Sequence, residues 1–313
     1  MTVIFKNSQS ISQDAKGSVA ALGNFDGVHR GHGYLIQSLR EQYPNRPLSV
    51  VTFEPHPRQL FFKEAAPFRL TNADERNVVL EKMGVDFIFQ IDFTQEFASL
   101  SAHDFVHNIL HNHLGVTHIA CGNCFAFGKG RSGSIEYLAS ETQSLGIGLT
   151  VLEPLQDGDE VISSSRIRHL LRDGHPRKAA ELLGRVWSVR AIVQHGDKRG
   201  RTIGFPTANL LLGEHVEPMC GVYAVKIALP NGEMRDGVAN VGYRPTFGQQ
   251  NECRLEVHLF DFNQDIYGQE LQVWLHHFIR SEKRFSGLDE LKDQIAKDAL
   301  DAKEFFSNLE IIR

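Results

Sequence analysis

The chain has 313 residues, 42% of them hydrophobic and 23% charged, more than one core usually supports, which predicts two domains. A formal net charge of -5 excludes a phosphate-backbone binder held by bulk positive charge, so nucleic acid is not an expected partner. No apolar run approaches the ~20 residues of a membrane span, residues 1–12 lack a signal-peptide pattern, and four cysteines are too few for a disulfide framework, so a cytoplasmic protein with free thiols is expected.

From residue 18 to about 183, strand-like runs alternate with helical patterns. Val19-Ala20-Ala21-Leu22 precedes a glycine-containing turn and a helix carrying Leu35, Ile36 and Leu39. Residues 48–53, 85–91, 116–121 and 147–152 read as further strands, and 75–83, 101–113 and 134–145 as helices, the second opened by a Ser101/Asp104 capping pair. Such alternation implies a doubly wound, Rossmann-like parallel sheet with helices on both faces. Past Gly184 the period changes. Residues 189–193, 222–227, 237–241, 255–260 and 271–278 are short strands separated by Gly, Pro, Asn and Asp, as in a small antiparallel β-barrel. A last helix begins near Ser286, with Asp289 as its capping partner and an apolar stripe of Leu288, Leu291, Ile295, Ala299, Ala302 and Phe306 expected to pack on the barrel. The boundaries are therefore 1–184 and 185–313.

Gly23-Asn24-Phe25-Asp26-Gly27-Val28-His29-Arg30-Gly31-His32 joins the first strand to the first helix, where a doubly wound fold binds ligands. Glycines admit a phosphate, the helix start supplies free amides, and His29 and His32 on one helical face are placed to hold polyphosphate oxygens. A single histidine is more often structural, but the whole string resembles the nucleotidylyltransferase signature. That resemblance implies in-line transfer without a covalent intermediate, with the histidines stabilising charge. Ile162-Ser163-Ser164-Ser165-Arg166-Ile167-Arg168 is similar to a second element of the same family, so Ser164, Ser165 and Arg166 are expected at the ATP phosphates.

Residues 52–57, with His56 and Pro57, and 125–131, with Phe125 and Phe127, resemble the flavin-side loops of the bacterial bifunctional riboflavin kinase/FMN adenylyltransferase (FAD synthetase) family, which also places the adjoining Cys124 at the flavin. The family usually has Asp or Asn where this chain has Cys124, and often Arg where it has Ala126. Cys121-Gly122-Asn123-Cys124 is nominally a C-x-x-C motif. Cys121 ends a predicted strand, and neither a second Cys pair nor a suitably spaced His supports zinc, so two adjacent buried thiols are expected.

Residues 196–209 (Gly-Asp-Lys-Arg-Gly-Arg-Thr-Ile-Gly-Phe-Pro-Thr-Ala-Asn) resemble the riboflavin kinase signature. Thr207 and Asn209 offer oxygen ligands to Mg2+, Lys198 and Arg201 offer phosphate charge, and Gly200, Gly204 and Pro206 shape the loop. In Leu255-Glu256-Val257-His258-Leu259, alternation puts Glu256 and His258 opposite three apolar residues. A carboxylate there commonly faces solvent; the resemblance implies that Glu256 is the general base for the riboflavin 5'-hydroxyl. It also places Arg280 and Phe285 near the flavin.

The resemblance covers nearly the whole length. It implies an enzyme that phosphorylates riboflavin to FMN and adenylylates FMN to FAD, using ATP and Mg2+; a monomer or weak homo-oligomer is expected. Three alternatives stay open: a riboflavin kinase whose adenylylation is impaired by Cys124 and Ala126, a nucleotidylyltransferase for another substrate, and a non-catalytic flavin sensor.

Overall fold

The computed structural model describes residues 1–6, 10–62, 66–195, 204–244 and 252–311. They form two compact units, Met1–Ala66 with Asn72–Ser163, and Pro67–Thr71 with Ser164–Arg313.

The first unit is built on a parallel sheet of β1 (Val3–Lys6), β2 (Val19–Leu22), β3 (Leu48–Glu54), β4 (Phe87–Asp92), β5 (His118–Gly122) and β6 (Gly148–Leu152), in the order β1-β4-β3-β2-β5-β6. Every residue of β2 is buried, because both faces of the sheet are covered. Val19 and Ala21 face α1 (Arg30–Gln42) and α3 (Ala73–Lys82) through Leu35, Leu39 and Leu80. Ala20 and Leu22 face Phe105, Val106 and Leu138 on the other side. Burying each such Leu or Val stabilises the fold by roughly 1.5–3 kcal/mol. The doubly wound expectation holds. The other α-helices among the described residues of this unit are α2 (Pro57–Phe61), α4 (Gln95–Ala98), α5 (Ala102–Asp104) and α6 (Ile135–Ser144).

Three details differ from the sequence-based expectation. The edge strand β1 was not anticipated, because its Val3 and Ile4 remain exposed and leave no burial pattern to read. The helix expected over 101–113 starts as α5, capped by the Ser101 hydroxyl on the Asp104 amide, and continues as a π-helix over Phe105–His113. Apolar residues at 105, 106, 109 and 110 suit either winding, so periodicity does not separate the two. A short hairpin, β7 (Gln156–Asp157) and β8 (Glu160–Val161), also lacked a signal.

The second unit opens with α7 (Ser164–Arg172) and α8 (Pro176–Leu183) and contains an antiparallel sheet. Its strands are β9 (Ser188–Ile192), β10 (Ala208–Leu211), β11 (Gly221–Ala228), β12 (Met234–Arg244), β13 (Glu252–Leu259) and β14 (Glu270–Ser281), ordered β10-β13-β12-β11-β14-β9. The Gln194 amide donates to the Asn209 carbonyl at 2.8 Å, bringing the two sheet edges together as in a barrel. β10 falls where the sequence suggested a loop, its short run masked by the Gly- and Pro-rich residues before it.

The C-terminal helix α9 (Leu288–Ile311) packs Ala302 and Phe306 against Val222, Ala224 and Val238. Its start corrects two expectations. The amide and hydroxyl of Ser286 both donate to Glu290 rather than Asp289, at 2.9 and 2.7 Å, and the Lys283 ammonium adds a third bond at 2.9 Å. Those bonds hold the half-buried Glu290 carboxyl down to about 2. Leu288, first in the expected stripe, is 55% exposed because it precedes the point where α9 meets the sheet.

Candidate active sites

In the parallel sheet β3 lies on one side of β2 and β5 on the other, so strand order reverses beside β2 and opens a crevice at its carboxyl end. The loop leaving β2 is strained: Phe25, Gly27 and Val28 all have positive φ (53°, 80° and 40°). For a phenylalanine and a β-branched valine this costs about 1–3 kcal/mol each, and the complete burial of both side chains holds them there. The Thr52 hydroxyl fixes the same loop by donating to the Asn24 carbonyl at 3.2 Å, and Asp26 is buried beneath it.

His29 and His32 stand on the same side of the start of α1, with their rings together. His29 is the N-cap of α1, and His32 stands in its first turn. Each imidazole Nδ1 accepts a backbone N–H from the other residue, at 3.3 and 3.4 Å, and the rings stack 3.7 Å apart. An accepting Nδ1 carries no proton, so both rings hold their hydrogen on Nε2. Two Nε2–H donors thus sit at the positive end of a helix dipole, an anion-binding arrangement. Gly31 permits the stack: a Cβ there would lie 3.2 Å from the His29 ring.

The loops leaving β3 and β5 reach the same edge of the sheet. His56 caps α2 by accepting the Arg58 amide at 3.1 Å, and Pro57 fills the first helical position. The strand end below is tied by the buried Arg76, which donates to Glu54 and Gln90, both at 3.1 Å. After β5, Phe125 and Phe127 stack with centroids 5.6 Å apart. The two thiols beside them are not both buried: Cys121 lies in the sheet core, while Cys124 is exposed and donates to the Asn123 side chain. The strand ends at Gly122 and turns the next residues outward. Burial pushes the Cys121 thiol up to about 12, which leaves no thiolate for redox chemistry.

Ser164, Ser165 and Arg166 form the first turn of α7, in the second unit. There Ile167, Arg168 and Leu171 are buried, and the Arg168 guanidinium donates to the Phe68 carbonyl at 2.7 Å.

In the same unit, Asn209, Glu256 and Asn240 occupy directly opposed positions across β10, β13 and β12. Leu255, Val257 and Leu259 are buried, so Glu256 and His258 face the other way, as alternation required. That face lines a cavity of about 650 Å³ whose wall includes Thr207, Glu256, Arg280 and Phe285. Asn209 is buried in the ladder beside Glu256. Gly204 has φ 88°, and the Pro206 carbonyl accepts from His258 Nδ1 at 2.8 Å, which places that ring's proton on Nδ1. Lys198, Gly200 and Arg201 lie outside the described residues.

Sequence reasoning missed the group that positions Arg280. Asp298, on α9, is buried and takes the guanidinium fork through Nε at 2.8 Å and Nη2 at 2.7 Å. An acidic residue inside the apolar stripe was the available signal. Leu291 and Ile295 from that stripe wall the cavity rather than the sheet. Asp298→Ala is expected to lower stability by about 1.5–3 kcal/mol, measured by urea unfolding, because it strands a largely desolvated charge.

Residues 11–166 match the FAD synthetase family model, and residues 183–306 match the riboflavin kinase model. The bifunctional riboflavin kinase/FMN adenylyltransferase of Escherichia coli K12 is 44% identical over 93% of both chains, and that of Bacillus subtilis 40% over 96% of both. The chain belongs to the bifunctional riboflavin kinase/FMN adenylyltransferase family. Membership gives it both kinase and nucleotidyltransferase activities. A nucleotidylyltransferase for another substrate would leave 183–306 without a role, and that alternative is not favoured. A Streptococcus pneumoniae crystal structure described as a macrolide-efflux protein has 34% identity to this chain and a TM-score of 0.83, covering 95% of this chain and 97% of that one. Among the described residues of this family member, no helix is long and apolar enough to cross a membrane.

Proposed function

We propose that residues 185–313 phosphorylate riboflavin with Glu256 as general base, and that residues 1–184 adenylylate the resulting FMN at His29 and His32. The observation carrying the kinase assignment is the single cavity that Glu256 shares with Thr207, Arg280 and Phe285. Its apolar walls suit the flavin ring, Arg280 held by Asp298 offers a fixed cation, and Glu256 takes the proton of the attacking hydroxyl.

Thr207 and Asn209 suit Mg2+, since their neutral oxygens are hard donors and nucleotide phosphates would complete the shell. Bound there, the ion would neutralise phosphate charge. In the first unit, the Nε2–H groups of His29 and His32 would donate to the ATP phosphates, with Gly23, Asn24, Phe25, Asp26 and Gly31 shaping the loop around them. Ser164, Ser165 and Arg166 receive the same assignment from their hydroxyls, guanidinium and helix start. His56, Pro57, Cys124, Phe125 and Phe127 would border FMN, with the Phe125–Phe127 stack as the aromatic surface. The protein would act in the cytoplasm as a monomer or weak homo-oligomer.

Incubating the purified protein with ATP, Mg2+ and either riboflavin or FMN, then separating the flavins by chromatography, tests the whole. FAD from both substrates is expected; FMN without FAD overturns the adenylylation half. At the departure from the family pattern, Cys124→Asp is expected to lower KM for FMN by about 2- to 10-fold with kcat unchanged, the value of one added hydrogen bond. An unaltered KM would show that the exposed position does not contact flavin.

A further inference from the structure

On the first unit, three potential metal ligands converge away from the loops described above. His103 belongs to α5, His107 to the π-helical stretch that follows, and Glu141 to α6. One ligand atom from each lies within 4.8 Å of the other two. The imidazoles stack face to face with centroids 4.0 Å apart and planes only 11° off parallel. His107 Nε2 is 2.6 Å from a Glu141 oxygen. Four-residue spacing puts the two rings on one side of the helix, and α6 brings the carboxylate alongside.

An ordinary ion pair explains only part of this. A His107–Glu141 pair needs no second imidazole stacked on the first. Two imidazoles and a carboxylate, by contrast, are the donor set of a borderline-soft divalent ion. The Tyr137 side chain bonds to the same Glu141 side chain. A tyrosine on a ligating carboxylate is the kind of outer contact that orients a ligand. The cluster is only partly buried, which leaves a water position open on the solvent side.

We propose that His103, His107 and Glu141 form a binding site for a single Zn2+-class ion, separate from the Mg2+ used with ATP, which clips the π-helical stretch to α6. Mg2+ would not compete, because it prefers oxygen donors in octahedral geometry. The ion's role here is structural, and neither flavin reaction passes through it.

The test uses tag-free, full-length protein stripped with a chelator, titrated with Zn2+ by calorimetry in excess Mg2+, and in parallel with Co2+ to read the donor type from its absorption. Wild type is expected to bind one Zn2+ per chain that is lost, or weakened at least about 10-fold, in His103→Ala and in Glu141→Gln. The Co2+ spectrum should lack thiolate charge-transfer bands, which would betray exposed Cys124. FAD synthesis in Mg2+ alone should be unchanged in both variants. His103 is exposed, so its variant keeps the fold and decides the matter even where Glu141→Gln loosens α6. Equal Zn2+ affinity in wild type and His103→Ala, or no Zn2+ binding at micromolar concentrations, overturns the proposal.

Discussion

Glu256→Gln is expected to lower riboflavin phosphorylation by about 10²–10⁴-fold, the range lost when a positioned general base is removed. FMN-to-FAD conversion should stay at the wild-type level. The substitution is isosteric and keeps the ladder, in which Glu256 lies between Asn209 and Asn240 while the flanking Leu255 and Val257 hold β13 in the core. Unfolding therefore does not account for the lost rate, and equal urea midpoints for variant and wild type would document this. Measuring kcat with riboflavin and with FMN separately gives the discriminating ratio. A fall in both activities would mean that Glu256 serves the fold, and a fall in neither would place the proton acceptor elsewhere in the cavity.

That Glu256 was legible at all rests on period-2 alternation, which needs only five residues to say which side chains share a face. The β2 run and its glycine turn were equally direct, since a strand buried on both faces reads as an unbroken apolar segment and its loop must then leave at the ligand-binding edge. Contacts between residues far apart in sequence were hidden. Pro67–Thr71 belongs with the barrel because the Trp187 indole donates to the Leu70 carbonyl at 2.8 Å and buried Arg69 pairs with Glu214, and nothing local to residues 67–71 announces those partners. Asp298 was visible as a charge in an apolar stripe, but not as the anchor of Arg280, eighteen residues earlier. The exposure of Cys124 depended on where β5 ended, and strand ends are the least determined feature of a periodic pattern. His29 was recognised for its chemistry while its capping role was not, because a histidine is not among the usual N-cap residues.

That double role makes His29 the second decisive test. His29→Ala removes an Nε2–H donor and the N-cap of α1 together, so lost adenylylation alone would not say which mattered. His29→Asn separates them, because asparagine is a favoured N-cap whose side chain accepts the same first-turn amide but does not reach outward with an imidazole. His29→Ala should cost about 1 kcal/mol of stability and His29→Asn a small fraction of that. Both should reduce FAD formation from FMN by about 10²–10³-fold, the usual loss when one preorganised donor to a developing charge is removed. Riboflavin phosphorylation should be unaffected in either. His32→Ala, which removes the acceptor of the His29 amide and the ring stacked 3.7 Å away, should be less stable than His29→Asn and match it in lost activity. Recovery of FAD synthesis in His29→Asn would reduce the pair to a helix cap. Continued loss in a variant as stable as the wild type would assign the phosphate charge to the two Nε2–H groups that the reciprocal Nδ1 bonds set in place.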